Sequence, residues 1–174
     1  MMTLLEAIAL FLVGTGAIYP VGLFAQNTQT GETMARHIVL QPADQTSWVS
    51  STEGVFTLFQ IPEKSGVTAL LAHNFAAEDE IKFLRNADEI SIIYGDGTYK
   101  TYHSAKVEVW EAQDGKSEHS WFRLPPGDWI SAFSLYHKIY GGDFPLVIQT
   151  CKAVENLYDA REFFLYAAEV DDGD

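Results

Sequence analysis

The chain of 174 residues contains one cysteine, Cys151, at the end of the run Leu146-Val147-Ile148-Gln149-Thr150-Cys151. No internal disulfide can form. A thiol does nucleophilic chemistry as the thiolate, so it needs a base or a positive charge close by. A buried strand ending in cysteine would hold the sulfur rigidly and let it face an opening; Lys152 marks where the apolar run stops. From this context alone, an inert core thiol and a nucleophile are equally good readings of Cys151. A redox-sensing thiol is a poor reading, because no second cysteine exists to resolve an oxidised form.

His73 closes the apolar run Val67 to Ala72 in the same manner and is followed by Asn74. Two strands that both end in reactive side chains can bring them to one rim of a barrel. The remaining histidines fit less well. His37 opens an apolar run, His103 lies beyond a hairpin, His119 lies in a polar loop, and His137 sits between Tyr136 and Lys138 on an expected helix. Arg161 follows Cys151 by ten positions, just ahead of Phe163 to Ala167. A guanidinium beside the thiol would favour the thiolate and stabilise the oxyanion of acyl transfer. Read singly, His73 is a satisfied structural histidine and Arg161 a solvated arginine at a strand edge.

No metal-binding spacing, P-loop, GxGxxG or GxSxG occurs, so neither a metal nor a cofactor is expected. The terminal Asp171-Asp172-Gly173-Asp174 reads as an acidic tail rather than a calcium loop. Acidic residues outnumber basic ones by 24 to 11, a formal charge of −13. Such a surface repels phosphate backbones and anionic lipid, which disfavours nucleic acid as a partner. With 47% hydrophobic and 20% charged residues the chain suits one globular domain with one core.

The elements that must hold these residues are mostly strands. Short apolar stretches recur with turn residues between them, the pattern of an all-β sandwich or barrel. Val55 to Ile61, closed by Pro62, and Val67 to Ala72 are expected strands, the second buried on both faces. Ile90 to Tyr94 and Thr98 to Tyr102 flank Gly95-Asp96-Gly97, a hairpin signal. Lys106 to Glu111 alternates as a half-exposed strand, and Leu146 to Thr150 and Phe163 to Ala168 complete the set. Two helices are expected. One covers Glu78 to Leu84. The other runs from Trp129 to about Tyr140, capped by Asp128, with Ile130, Phe133, Tyr136 and Ile139 as its buried stripe.

Ala7 to Ala25 carries no charge, and the chain turns polar at Gln26. This reads as a signal peptide or a membrane anchor over residues 1–25, set apart from the fold, in preference to the alternative of a buried N-terminal strand or helix, and implies an extracytoplasmic protein. No Lys or Arg precedes the segment, so charge gives no orientation. Residues 26–50 then read as a linker with a first strand near His37 to Leu40, residues 51–170 as the folded domain, and residues 171–174 as the tail.

Together these residues form a pattern. It has a strand ending in His, then Phe83-Leu84-x-x-Ala87-Asp88-Glu89-Ile90, a Gly-Asp-Gly hairpin, Val147 to Cys151, and Arg161 before a last apolar strand. It resembles the sortase family, whose nucleophile lies in a Thr-Leu-x-Thr-Cys-like motif. Leu70 to Asn74, Tyr140-Gly141-Gly142 and Val147 to Cys151 are especially like divergent bacterial sortase-like domains. The likeness spans roughly residues 55–170. It implies a closed eight-stranded β-barrel and a cysteine transpeptidase. Such an enzyme cleaves a sorting signal, often of the Leu-Pro-x-Thr-Gly type, in an exported protein or peptide. The acyl group is held as a thioester and passed to an amine acceptor on the cell wall or a pilin. Carried over, Cys151 is the nucleophile, His73 the proton donor to the leaving amine and Arg161 the oxyanion stabiliser, with Thr150 and Asn74 as substrate-binding candidates.

Three positions depart from the family pattern. Ala72 stands where Gly usually precedes the His, and Ala87-Asp88 replaces Gly-Asp. The arginine usually lies one residue nearer the final strand, where Glu162 stands here. In an uninterrupted strand such a slip is expected to turn Arg161 away from Cys151, unless a bulge corrects it. Two alternatives keep the fold: a thiol peptidase in which water resolves the thioester, and a secreted binding module without catalysis. The aromatic residues Trp121, Phe122 and Trp129 read equally as groove or core.

Overall fold

The computed structural model describes residues 19–60, 66–114, 120–153 and 159–168. The segment up to Ile18, Pro62, His119 and the acidic tail lie outside the described residues. The strands are β1 (Pro20–Gln26), β2 (Thr33–Leu40), β3 (Phe56–Phe59), β4 (Thr68–Ala72), β5 (Glu89–Tyr94), β6 (Tyr99–Ala112), β7 (Trp121–Arg123), β8 (Ile130–Ser131), β9 (Leu146–Ala153) and β10 (Asp159–Ala168). Two helices are described, α1 (Glu78–Leu84) after β4 and α2 (Ala132–Tyr140) after β8.

Eight strands close on themselves in the order β1-β2-β3-β4-β9-β10-β6-β5, with β5 returning to β1 and β6 pairing with β10. The expected eight-stranded closed barrel is therefore present. The pairings β2–β3 and β4–β9 are parallel and the other barrel pairings antiparallel. β7 and β8 extend from the end of β6 outside the ring. At the β5–β6 hairpin, Gly97 takes a positive φ of 88° and its N–H donates to Tyr94 O at 2.9 Å. That conformation suits glycine, which lacks the Cβ that would clash there.

Strand alternation builds two cores. The barrel interior takes Leu23, Ala25, Leu70, Ala72, Ile90, Ile92, Leu146, Ile148, Phe164 and Tyr166, and Ala77, just before α1, packs with Ile81 and Leu84 of α1 against the same cluster. The opposite face of β4, β9, β10 and β6 carries Ala69, Val147, Phe163, Leu165 and Trp110, covered by Leu135, Ile139 and Tyr140 of α2. Central strands thus lose water from both faces, and for that reason β9 reads as a continuous apolar run.

Helix α1 matches the expected Glu78 to Leu84. It has no side-chain N-cap, but Glu78, Asp79 and Glu80 fill its first turn and Lys82 pairs with Glu78 at 2.8 Å. Those charges complement the helix dipole. The second helix is corrected. It begins at Ala132, where Ser131 accepts from the Ser134 N–H, and Asp128 does not cap it. Ile130 pairs with Phe122 in β8 instead, and Phe133 is exposed while Leu135, Ile139 and Tyr140 are buried. Ser131 competes as a cap because its hydroxyl reaches the third N–H from an extended backbone.

The N-terminal boundary is also corrected. Pro20 to Gln26 is a barrel strand between β2 and β5, with Leu23 and Ala25 fully buried. An uncharged run is as suitable for a strand sealed on both faces as for a membrane. The domain likewise extends back through β2, so residues 33–40 belong to the barrel sheet.

Candidate active site

β4 and β9 run parallel in a continuous register in which Ala72 pairs with Thr150. The next positions are His73 and Cys151. Strands so paired lie about 5 Å apart, so the two residues start from adjacent backbone positions. β9 and β10 are antiparallel and uninterrupted from Asp159 to Tyr166, and Arg161 is the partner of Cys151. Arg161 is in turn the partner of Trp110 on β6. His73, Cys151, Arg161 and Trp110 therefore follow one another around the rim.

Alternation also assigns their faces. By alternation along the strands Cys151 falls in line with Val147 and Gln149, and Arg161 with Leu165 and Phe163, whose apolar members α2 covers, while at the strand end Cys151 also borders the cleft beside α1. What decides the face is the register against β9, and Arg161 stands directly opposite Cys151 without any bulge in that pairing. Glu162 is the residue that turns inward. It is buried, pairs with Thr150, and receives Arg85 in a fork of 2.9 and 2.7 Å. Its charge is thereby matched by the end of α1, away from the face that holds Arg161. The Glu162 carboxylate keeps the Arg85 guanidinium above its ordinary pKa, chiefly through that hydrogen bond.

The turn after β4 is fixed by its backbone. His73 O accepts from the N–H groups of Ala76 and Ala77 at 3.1 and 3.0 Å, and Ala76 O accepts from Gly54 N at 2.8 Å. Gly54 has φ of 68°, and a Cβ there would stand 3.0 Å from Arg36 Nε and 3.1 Å from Glu80 Oε1. Those two side chains form an ion pair of 2.6 Å that ties β2 to α1. The His73 ring stacks on Phe75, with centroids 4.8 Å apart and planes 21° from parallel.

Tyr140 of α2 reaches the strand that carries Cys151. Its hydroxyl donates to Gln149 Oε1 at 2.5 Å, two residues before the thiol on the same face. Burial pushes the Tyr140 phenol far above its usual pKa, the nearby Tyr136 adds to this, and Arg161 opposes it. Tyr140 therefore stays a neutral donor at any working pH. Sequence reasoning missed Tyr140, Gln149 and Trp110 as neighbours of the site, because only register reveals them.

A cleft of about 400 Å³ opens between α1 and the rim, lined by Asn74, Phe75, Ile81, Arg85, Cys151 and Glu162 among others. Cys151 is partly exposed. His73 and Arg161 do not line this cleft, whereas Asn74 does. Thr150, the other substrate-binding candidate, is 2% exposed and its hydroxyl donates to Cys151 O at 3.3 Å. Its side chain holds the strand end and does not face the cleft. A second cavity of about 370 Å³, lined by Tyr19, Leu40, Leu58, Thr68 and Tyr94, lies where β4 begins, at the other end of the barrel from Cys151. Among the described residues no group of three or more His, Cys, Asp or Glu gathers as metal ligands. No helix among them is long and apolar enough to cross a membrane.

No protein-family model matches the chain, and neither does any curated protein. Solved structures do. Sortase B of Clostridium perfringens matches at 12% identity with a TM-score of 0.50, covering 86% of this chain and 93% of its own. Sortase B from the type II pilus of Streptococcus pneumoniae matches at 13% identity and TM-score 0.44, covering 86% and 92%. A substrate complex of Staphylococcus aureus sortase B matches at 11% and 0.45, covering 84% and 77%. At such identities the likeness concerns the path of the backbone. The closed eight-stranded barrel of this chain is thus sortase-like in fold.

Proposed function

We propose that the protein is an extracytoplasmic cysteine transpeptidase that cuts a peptide sorting signal in an exported protein and transfers the acyl part to an amine. The observation that supports this reading is the register of β4, β9 and β10: Arg161 is the partner of Cys151, and His73 and Cys151 each follow the last pair of the β4–β9 ladder. The Cys151 thiolate attacks the scissile carbonyl and forms the C–S bond. Arg161 stabilises the oxyanion of the tetrahedral intermediate, a role worth about 10²–10³ in rate where measured elsewhere. His73, as imidazolium, gives its proton to the leaving amine, and the C–N bond breaks. A second amine then attacks the thioester, yields a proton to His73, and releases the thiolate. Thiolate, imidazolium and acyl group all balance over the cycle.

Asn74 at the cleft wall is the side chain suited to hydrogen-bond the peptide. The segment preceding residue 19 is proposed to direct export or anchor the chain. The direct test is mass spectrometry of the protein incubated with a Leu-Pro-x-Thr-Gly-type peptide library and an amine such as triglycine. An acyl adduct on Cys151, discharged by the amine, is the expected result. Discharge by water alone, with no triglycine product, would make the protein a thiol peptidase. A thiol that neither acylates nor reacts with iodoacetamide at neutral pH would leave only a binding module.

A further inference from the structure

We propose that Phe75 is the positioning residue of His73, holding the imidazole in the plane from which it exchanges protons with Cys151 and the amine. The proposal rests on the reading of His73 as acid/base. A histidine in that role must present a chosen nitrogen to the reacting atoms, and enzymes commonly fix its ring through a hydrogen-bonded carboxylate or carbonyl. Here the His73 backbone is fixed by its carbonyl bonds to Ala76 and Ala77, but the ring is fixed differently. The ring interaction described for it is the near-parallel stack with Phe75 at 4.8 Å.

Phe75 itself is 71% exposed, so it contributes little to either core. An exposed phenylalanine needs no explanation when it stands alone on a surface. This one lines the cleft that also contains Cys151, and its ring face is laid against the imidazole. Rotation of the imidazole about its last torsion would swing its edge into the phenyl ring. A flat aromatic neighbour thus restrains the imidazole plane as a hydrogen bond would, while leaving both nitrogens free to carry protons. A branched aliphatic side chain at position 75 could fill space but would not set that plane.

The test compares wild type with His73→Ala, Phe75→Ala, Phe75→Leu and Phe75→Tyr. Two readouts are used: single-turnover acylation of Cys151 by the best-cleaved library peptide, and the chemical shifts of the His73 ring protons. In wild type these protons are expected upfield from the ring current of Phe75. Phe75→Ala and Phe75→Leu move them downfield and slow acylation by about tenfold at saturating peptide, with KM little changed. Phe75→Tyr preserves both. Unchanged shifts in Phe75→Ala overturn the stack, whatever the activity. A raised KM with an unaltered saturating rate makes Phe75 a peptide contact and overturns the positioning role. Full activity of His73→Ala instead removes the acid/base reading, a failure separate from either result at Phe75. The exposure of Phe75 makes all three of its variants expected to fold.

Discussion

Arg161 and Cys151 are direct register partners across the antiparallel pair β9–β10. The neighbouring Glu162 takes the interior side and spends its charge on Arg85. A single step along β10 thus separates the register partner of Cys151 from an anion paired with Arg85 at the end of α1. Arg161→Ala is expected to lower the acylation rate about 10²–10³-fold. Arg161→Lys should recover little of it, since an ammonium lacks the planar fork. Thermal melting run alongside should show both variants folded; a fully active Arg161→Ala would remove the oxyanion role.

Cys151→Ala should abolish the acyl adduct and leave the barrel intact. Its side chain is small and only partly buried, so the change in stability is expected to stay within about 1 kcal/mol. Iodoacetamide labelling followed by peptide mapping gives the matching measurement on the wild type.

Arg85→Ala leaves the Glu162 carboxylate buried without its partner. Loss of one member of a fully buried pair costs about 3–5 kcal/mol. Solvent still reaches the Arg85 side chain, at 39% exposure, so roughly 2 kcal/mol is the better expectation. Adding Glu162→Gln to Arg85→Ala should restore part of the loss in urea melts. Additive losses would show that the pair is not coupled.

Tyr166 is fully buried in the barrel, and its hydroxyl meets no hydrogen-bond partner among the described residues. Burial drives its phenol well above the ordinary range. An unsatisfied buried hydroxyl costs about 1–3 kcal/mol, so Tyr166→Phe should stabilise the protein by roughly 1 kcal/mol. For a domain of this size that is about 2–4 °C in Tm. A lower Tm would mean the hydroxyl is satisfied.

Asp88 joins the β1–β2 turn to the start of β5. It accepts from the Thr28 hydroxyl and, at 2.8 Å, from the Thr28 N–H. The Thr28 hydroxyl, then the N–H, hold its carboxyl below the ordinary value. A depressed folded pKa contributes stability that is present above the unfolded value of about 3.9 and is lost as pH falls through the folded one. Melts between pH 5 and 2 should therefore decline less steeply in Asp88→Asn than in wild type. Equal slopes would show that Asp88 carries no such linkage.

Much of this architecture is legible residue by residue. The β5–β6 hairpin follows from Gly95-Asp96-Gly97, and α1 from Glu78 to Leu84, because both signals are local. β1 was hidden, since an uncharged run looks the same whether it crosses lipid or seals a sheet. The start of α2 moved because Ser131 offered a better cap than Asp128. At the site, His73 and Cys151 stand out as polar ends of apolar strands. The face of Arg161 did not, because it depends on how β10 registers against β9, and Tyr140 reaches Gln149 only through the packing of α2.

Each of the eight barrel strands has a partner on both sides. Among the described residues, however, β6 is paired with β5 only over Tyr99–His103 and with β7 only at Glu111 and Ala112, so the stretch between them, bonded to β10 on its other side, keeps a short row of N–H and C=O groups open on the wall of the barrel. An extended chain laid along that edge would be held by backbone hydrogen bonds as an added strand, away from the cleft beside Cys151. On the proposed function, changing the wall of the cleft beside Cys151 would retune which sequence is accepted while leaving both that edge and the hydrogen-bonded ring untouched.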